Sequence, residues 1–495
     1  MDNIRKTHYW ALGIITLLSI LCFFDIRPVH FDDTGGYLSI SYLINMRQLW
    51  PIDGARTPMY PLFLVVAAKL CKLLHPDFAV QAVSPYITSS CATLITMLQF
   101  GLLLISNFIF YRVLVKVAGA KNALLAAILA IIVLGFPVNG WFSRIILTES
   151  LADSLTCLAT AVLLLAFMPD NRGSRRFVYL ASGLMCMSVM TRPNMLVPAA
   201  IFFVFIAVQK HVSKILPITW ETLALGAMLF TMPILCWMTF NLANAGYFRI
   251  TTIPGLCETP LIAQMWDRIP VQHKPIADIM RHYYVPGSPR EPMIVPRAYT
   301  ELCNNIGALQ VKRRLPYPWT VGVDMSHYLE TVVRDTVREH KLETLMVIAH
   351  ETPKLLSRDF DLPVPGTGDP GTYDGEDNVR YVPLHRALYV FSTVDGILIV
   401  LLELLSYAAL LFLLVYFAAR RRLPALITDN AQMPWLGVGA LLCFVLGQLA
   451  YLPFGYYESV RYTLPLLPFL LLSGVILGPA AVAFVSGIVR SRMSR

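Results

Sequence analysis

Two adjacent carboxylates, Asp32 and Asp33, lie in the segment VHFDDTGGYLSISYL, which follows the first strongly apolar stretch of the chain. A carboxylate can take a proton from an incoming hydroxyl group and so act as a general base. The structural alternative is that one of them stabilises the start of a helix, where free backbone N–H groups and the helix dipole favour negative charge. The residue types alone leave both interpretations open.

Arginines and further acidic residues lie in other short segments that interrupt apolar runs. Arginine suits a phosphate group, because its charge and its forked N–H donors match the phosphate oxygens. A carboxylate and several arginines on one face therefore suit group transfer from a phosphate-bearing donor to a hydroxyl. The candidates are Arg56, Arg144, Glu149, Arg192, Glu458 and Arg461.

Each of these candidates also has a structural interpretation. Arg56 can belong to an ion pair, and Arg192 can hold the turn TRPN. The segment around Glu149 resembles a helix start, and Arg144 is the nearest cation to it in the sequence. Glu458 and Arg461 can form a surface ion pair.

The composition defines the class of protein. Of the 495 residues, 56% are hydrophobic and 14% are charged, and the mean hydropathy is +0.60. Soluble domains contain about 25% charged residues, so the chain is predicted to be a polytopic membrane protein. The net charge of +9 comes from short basic clusters between apolar runs, which set membrane orientation. It does not indicate nucleic-acid binding.

Ten segments have about the length and apolar character that a hydrocarbon layer of ~30 Å requires. The fifth and sixth are short and joined by TRPN, which leaves open whether they cross fully. The segments lie near residues 9–26, 90–115, 121–137, 149–168, 177–191, 195–209, 217–240, 388–418, 433–454 and 462–487.

Basic residues cluster on one side of the membrane if all ten segments cross. By the positive-inside rule this side is the cytoplasm, and both chain ends lie there. The first apolar run lacks a small-residue cleavage site and is predicted to be a retained span. The clusters are Arg5 and Lys6, Lys116 and Lys121, Arg172 to Arg176, Lys210 and Lys214, Arg420 to Arg422, and Arg490 to Arg495.

Two long segments then face the other side, residues 27–89 and 241–387. The second has helical periodicity over 296–314 and 326–356, followed by a loop rich in Gly, Pro and Asp at 363–377. The expected fold is therefore all-α, with about ten membrane helices, external helices against the membrane and a small, mostly helical external domain. The expected domains are 1–240, 241–387 and 388–495.

Nine cysteines are present, and most fall in apolar segments where they serve as small core residues. Cys257 and Cys303 lie in the external domain, where they either form a disulfide with each other or remain as two thiols. No metal-ligand spacing such as C-x-x-C occurs.

The segments DDTGGYLSIS, RTPMYPLFL, LTESL, TRPN and ESVRYTLPLLPFLLL, in this order, resemble the GT-C class of integral-membrane glycosyltransferases. The resemblance is to enzymes that use polyprenyl-phosphate sugars, related to protein mannosyltransferases, lipid A aminoarabinose transferases and galacturonosyl transferases. It covers about the first 210 and the last 40 residues, and the external domain between them shows none.

This resemblance implies an inverting transfer with a catalytic aspartate in the first external loop. Asp33 opens the spacing D-x-x-x-Y that ends at Tyr37, so Asp33 is expected to be the base, with Asp32 as the alternative. Arg461 and Tyr462 resemble a segment that lines the donor site. Arginines can neutralise a monophosphate leaving group, so no metal or other cofactor is expected.

The partners implied are a polyprenyl-phosphate sugar, the bilayer, and a lipid, glycan or protein acceptor. The expected location is a bacterial inner membrane, with the active site on the periplasmic face. Two other classes fit the composition: a transporter or flippase of lipid-linked sugars, and a ligase or polymerase for diphosphate-linked glycans. The two halves of the sequence show no repeat of the kind that is common in transporters, which disfavours transport. The paired-aspartate loop favours the monophosphate-donor class over the ligase.

The orientation predicts where reporters will fold. A reporter fused after Arg495, or inserted within 172–176, should be active as a cytoplasmic reporter, whereas one inserted near Gly366 should be active as an external reporter. Paired cytoplasmic and external reporter enzymes at the same positions measure this. A cytoplasmic signal at Gly366 would contradict the external placement of every candidate residue.

Overall fold

The computed structural model describes residues 2–28, 32–45, 56–74, 89–168, 174–213, 218–252, 261, 263–283, 301–305, 321–357, 382–420, 432–449 and 463–479. These residues are predominantly helical. The first helices are α1 (Asp2–Asp25), α2 (Asp32–Asn45), α3 (Met59–Leu74), α4 (Ser89–Ala118), α5 (Ala123–Leu134), α6 (Pro137–Ser143), α7 (Thr148–Phe167), α8 (Arg175–Thr191), α9 (Leu196–Ser213) and α10 (Trp220–Ala245). They are followed by α11 (Lys274–Tyr283), α12 (Val321–Glu339), α13 (Lys341–Ser357), α14 (Val382–Arg420), α15 (Gln432–Leu449) and α16 (Leu464–Pro479).

A helix lies over each of the ten predicted apolar segments. Within the described residues, five helices are long and apolar enough to cross a membrane: α1, α4, α7, α10 and α14. The segments Ala120–Leu134 and Pro137–Ser143 would make a sixth span, bent by 42°. Three further apolar helices are shorter: Pro193–Val208, Leu436–Leu449 and Leu464–Pro479. The all-helical membrane class is confirmed, and the number of about ten spans stays a prediction.

Helix α7 occupies the centre of the bundle, packed against α4, α6, α8 and the turn that begins α16. Nearly all of its side chains are buried, including polar ones. Ser154 and Thr156 satisfy their hydroxyls by donating to the carbonyls of Ser150 and Ala152, at 2.7 and 2.8 Å. Such local bonds let a helix carry hydroxyls through an apolar interior at little cost.

Helix α6 is a short helix that packs tightly against α1. It begins at Pro137, whose fixed φ suits the first helical position. At Gly140 a Cβ would lie 2.7 Å from Cys22 Cβ and 3.0 Å from the Ser19 carbonyl oxygen, so only glycine permits this approach. The close contact sets the position of Trp141, one residue further on.

Several basic residues and two of the candidate site residues lie at different ends of the bundle helices. Lys6, Lys116 and Arg175 lie near the start of α1, the end of α4 and the start of α8. The candidate residues Glu149 and Arg192 lie at the other ends, at the start of α7 and directly after α8. The placement of these ends relative to the membrane stays a prediction.

The segment after α10 forms a second, smaller core. Tyr247 donates to Asp324 Oδ1 at 3.3 Å, and Arg249 pairs with Glu330 at 2.6 Å, so α12 is tied to the end of α10. The predicted helix over 326–356 is divided at His340 into α12 and α13. The domain boundaries stay predictions, and Cys257, 363–377 and most of 296–314 lie outside the described residues. The core contains Ala263, Ile269, Ile276, Met280, Leu302, Met325, Leu329 and Val332.

Candidate active site

The two aspartates of the first loop form the first turn of α2. Asp33 is three residues before Gly36 and four before Tyr37, so these residues share one face of the helix. Arg56 covers this face: its guanidinium carbon lies 5.0 Å from the centre of the Tyr37 ring, and its Nε is 3.6 Å from where a Cβ would stand at Gly36. The backbone therefore places Asp33 on the face of α2 that Arg56 covers, whereas Asp32 is turned about 100° away. The side chains of both aspartates lie outside the described residues.

Tyr60 links this pair of helices to the bundle. Its ring packs edge-on against the Tyr37 ring, with centroids 5.1 Å apart. Its hydroxyl donates to Gln99 Oε1 at 2.7 Å, and Gln99 Nε2 donates to the carbonyls of Ser143 and Ile145 at 3.3 and 2.9 Å. Residues from α2, α3, α4 and the end of α6 are thus held by consecutive contacts.

Burial, together with the nearby Glu149 carboxylate and Tyr37, raises the pKa of Tyr60 well above that of an ordinary phenol. Tyr60 therefore stays protonated and serves as a hydrogen-bond donor. It lies within the motif RTPMYP, but its spacing gives no signal that would distinguish it from an apolar core residue.

Glu149 and Arg192 form a buried ion pair, with Arg192 Nη1 2.8 Å from Glu149 Oε1. The Glu149 side chain is fully buried and the Arg192 side chain is 8% exposed. Thr148 also donates to Glu149 Oε2, at 3.3 Å. Each charge lies at the favourable end of its helix dipole, the acid in the first turn of α7 and the arginine directly after α8. Glu149 thus has Arg192 as its ion-pair partner.

A further contact joins the ion pair to the Arg56 segment. Thr57 donates its hydroxyl to the carbonyl of Thr191 at 3.2 Å. Arg56 and Arg192 are each the immediate neighbour of one of these residues. The structure therefore brings the first-loop arginine and the TRPN arginine to the same end of the bundle.

Arg144 lies within the helix packing of this end. Only 1% of the residue is exposed, and its guanidinium lies 4.4 Å from the centre of the Phe23 ring. Its Nε donates to the Ile26 carbonyl and its Nη1 to Thr96 Oγ1, both at 3.1 Å. Arg144 thus links α1 and α4 to the segment that follows α6, and its predicted contact with a donor stays a prediction.

Three residues that the sequence pattern does not single out meet at the same end. Asp25 Oδ2 accepts from Trp141 Nε1 at 3.1 Å and lies 2.6 Å from His385 Nδ1. These residues come from the end of α1, from α6 and from the first turn of α14. The sequence gives only a weak signal for these residues, because Asp25 and His385 lie at the edges of apolar segments, where polar residues are common.

The remaining predicted residues lie beyond what the structure describes. Glu458, Arg461 and Tyr462 fall in residues 450–462, outside the described ranges. Among the residues that are described, no three His, Cys, Asp or Glu side chains come close enough to hold a metal ion. The role of Asp32 and Asp33 toward a metal therefore stays untested.

No family model matches the sequence, and no curated protein is similar to it. Among solved structures, ArnT from Cupriavidus metallidurans in the apo state is similar, with 13% identity, a TM-score of 0.36, and coverage of 97% of this chain and 79% of that chain. The same protein bound to undecaprenyl phosphate gives 14% identity, a TM-score of 0.35, and coverage of 97% and 80%.

The archaeal oligosaccharyltransferase AglB from Archaeoglobus fulgidus, in complex with an inhibitory peptide and a dolichol-phosphate, is also similar. It gives 12% identity, a TM-score of 0.38, and coverage of 97% of this chain and 52% of that chain. Both proteins are GT-C glycosyltransferases, the class that the sequence resembles.

The ion pair predicts a strong dependence of stability on Glu149. Glu149→Gln leaves the buried Arg192 charge without its partner, which typically costs about 3–5 kcal/mol. The unfolding temperature in detergent should fall clearly. Glu221→Gln is the matched control, because Glu221 faces Arg175 at 3.9 Å on an exposed surface, where a pair contributes about 0–1 kcal/mol. Equal effects of the two substitutions would contradict the buried pairing.

Proposed function

We propose that the chain is an inverting glycosyltransferase, which moves a sugar from a polyprenyl-phosphate donor to a hydroxyl acceptor. The observation that supports this most directly is the shared face of Asp33, Gly36 and Tyr37 on α2, covered by Arg56. It combines a carboxylate position for proton removal with a guanidinium for phosphate, at one end of a membrane-spanning bundle.

In the proposed reaction the acceptor hydroxyl approaches Asp33, which takes its proton. The hydroxyl oxygen forms a bond to the anomeric carbon from the face opposite the phosphate. The bond between that carbon and the phosphate oxygen breaks, and its electron pair stays on the phosphate. The configuration at the anomeric carbon is therefore inverted.

Arg56 and Arg192 have different roles in this proposal. Arg56 is half-buried and stacks over Tyr37, so its guanidinium lies on the face of α2 to which the Asp33 position belongs. We propose that this guanidinium stabilises the negative charge that develops on the leaving phosphate. Arg192 pairs with Glu149 and mainly holds the TRPN turn against the Arg56 segment. We assign the primary phosphate contact to Arg56 and a supporting position to Arg192.

We propose that the site lies on the external face of a bacterial inner membrane, with both chain ends in the cytoplasm, as the basic clusters indicate. Tyr37 and Glu149 remain proposed contributors to the donor site, as do Glu458, Arg461 and Tyr462 in the last segment. The acceptor is a lipid, glycan or protein hydroxyl, and the reaction is proposed to need no metal, since arginine charge suffices for a monophosphate.

The base is tested with Asp33→Asn, which keeps the size and the helix-start preference of aspartate but cannot accept the proton. Loss of a general base lowers rates by about 10²–10⁴-fold. We expect near-normal expression, unfolding temperature and donor binding, with sugar transfer from a polyprenyl-phosphate donor lowered by that factor.

Asp32→Asn is the matched control, because it changes the neighbouring residue on a different face of α2. It should retain most of the transfer rate. The opposite result would make Asp32 the base, and full turnover in both variants would refute the first-loop mechanism.

The phosphate contact is tested with Arg56→Lys, which keeps the charge but removes the forked donor geometry. Hydrogen bonds to charged groups contribute about 1.5–3 kcal/mol, so the KM for the donor should rise roughly tenfold or more. Arg175→Lys, at the opposite end of the bundle, is the control and should leave KM unchanged. An unchanged KM in Arg56→Lys would remove Arg56 from the donor site.

A further inference from the structure

The contact between Asp25 and His385 joins two parts of the chain that are far apart in sequence. Asp25 is the last residue of α1, and His385 lies in the first turn of α14. Trp141 donates to the same carboxylate oxygen that His385 Nδ1 contacts, and the Trp141 and His385 rings are 5.7 Å apart. The cluster therefore holds α1, α6 and α14 together at the end of the bundle that carries the candidate active site.

The hydrogen bonding of this cluster is incomplete. Both donors reach Asp25 Oδ2, while Asp25 Oδ1 and His385 Nε2 are buried and have no hydrogen-bond partner within the described part of the chain. Folded proteins satisfy the great majority of buried polar atoms, and an unsatisfied one costs about 1–3 kcal/mol. Two such atoms on one contacting pair are satisfied either by water or by a bound group.

The chemistry of the two atoms specifies that group. Asp25 Oδ1 accepts hydrogen bonds, and His385 Nε2 accepts or donates one according to whether it carries a hydrogen. A sugar hydroxyl group can both donate and accept a hydrogen bond. Two neighbouring hydroxyls of a sugar can therefore satisfy both atoms, beside the aromatic ring of Trp141.

We propose that Asp25 and His385 bind hydroxyl groups of the donor sugar, which makes them specificity residues of the proposed transferase. This inference rests on the proposed function. A series of hydrogen bonds connects this pair to the rest of the candidate site. Arg144 donates to the carbonyl of Ile26, the residue after Asp25. Gln99 donates to the carbonyls of Ser143 and Ile145, on either side of Arg144.

The test requires a variant that removes Nε2 and keeps the contact with Asp25. His385→Asn does this, because its side-chain amide N–H stands close to the position of Nδ1 while nothing replaces Nε2. His273→Asn is the matched control, since it makes the same substitution at a buried histidine that contacts Asp335 and Tyr328 in the second core. Unfolding temperatures of both variants report any structural loss separately from binding.

The measurement compares the dissociation constants of two lipids, polyprenyl phosphate and the polyprenyl-phosphate hexose or pentose that the wild type binds best. Their ratio isolates the contribution of the sugar. In His385→Asn the affinity for the sugar-bearing lipid should fall by about three- to tenfold, the effect of one lost hydrogen bond. Affinity for polyprenyl phosphate should not change, and His273→Asn should keep the wild-type ratio.

A second measurement uses only the wild type and so does not depend on a variant that folds. Donors that each lack one sugar hydroxyl should include at least one with a similar loss of affinity. Equal binding of all of them, or an unchanged ratio in His385→Asn, would show that water satisfies the two atoms and would overturn the inference. A wild type that binds polyprenyl phosphate but gains nothing from the sugar would overturn the inference alone, whereas one that binds neither lipid would overturn the proposed function as well.

Discussion

The buried contact between Glu149 and Arg192 is the constraint on which this end of the bundle depends. Opposite charges in an apolar interior are tolerated only when they are paired, because each carries a large desolvation cost. The pair fixes the start of the central helix α7 against the end of α8. Through the bond from Thr57 to the Thr191 carbonyl, it also fixes where the Arg56 segment, and with it α3, meets the bundle.

The three arginines at this end, Arg56, Arg144 and Arg192, have different surroundings and therefore different roles. Arg144 is enclosed by α1 and α4, and it donates to the Ile26 carbonyl and to the Thr96 hydroxyl. Arg192 is matched by a carboxylate. Arg56 lies against an aromatic ring and remains half-buried. Charge alone does not separate them; the depth and the polarity of the neighbouring atoms do.

Local patterns in the sequence predicted much of this arrangement. Hydropathy located the helices, and the basic clusters predicted which helix ends lie on one side of the membrane. The spacing from Asp33 to Tyr37 identified one helical face, because four residues make about one turn. These features depend on near neighbours in the chain, which a single sequence displays directly.

Partners that are distant in sequence could not be found in this way. Arg144 is nearer to Glu149 in sequence, yet the ion pair forms with Arg192, because helix packing brings the ends of α7 and α8 together. His385 is 360 residues from Asp25, and no periodicity connects them. The division at His340 also lacks a Gly or Pro signal.

The close approach of α6 to α1 at Gly140 has a consequence for interpreting genetic data. Any side chain there would displace α6 from α1, and Trp141, the Gln99-bound carbonyls and Arg144 would move with it. A screen for loss of activity would score Gly140 as strongly as a residue that touches substrate, although it contributes no functional group. Inherited variation at this position therefore reports on the spacing between two helices. A map of positions that do not tolerate substitution would include residues that have no contact with the substrate.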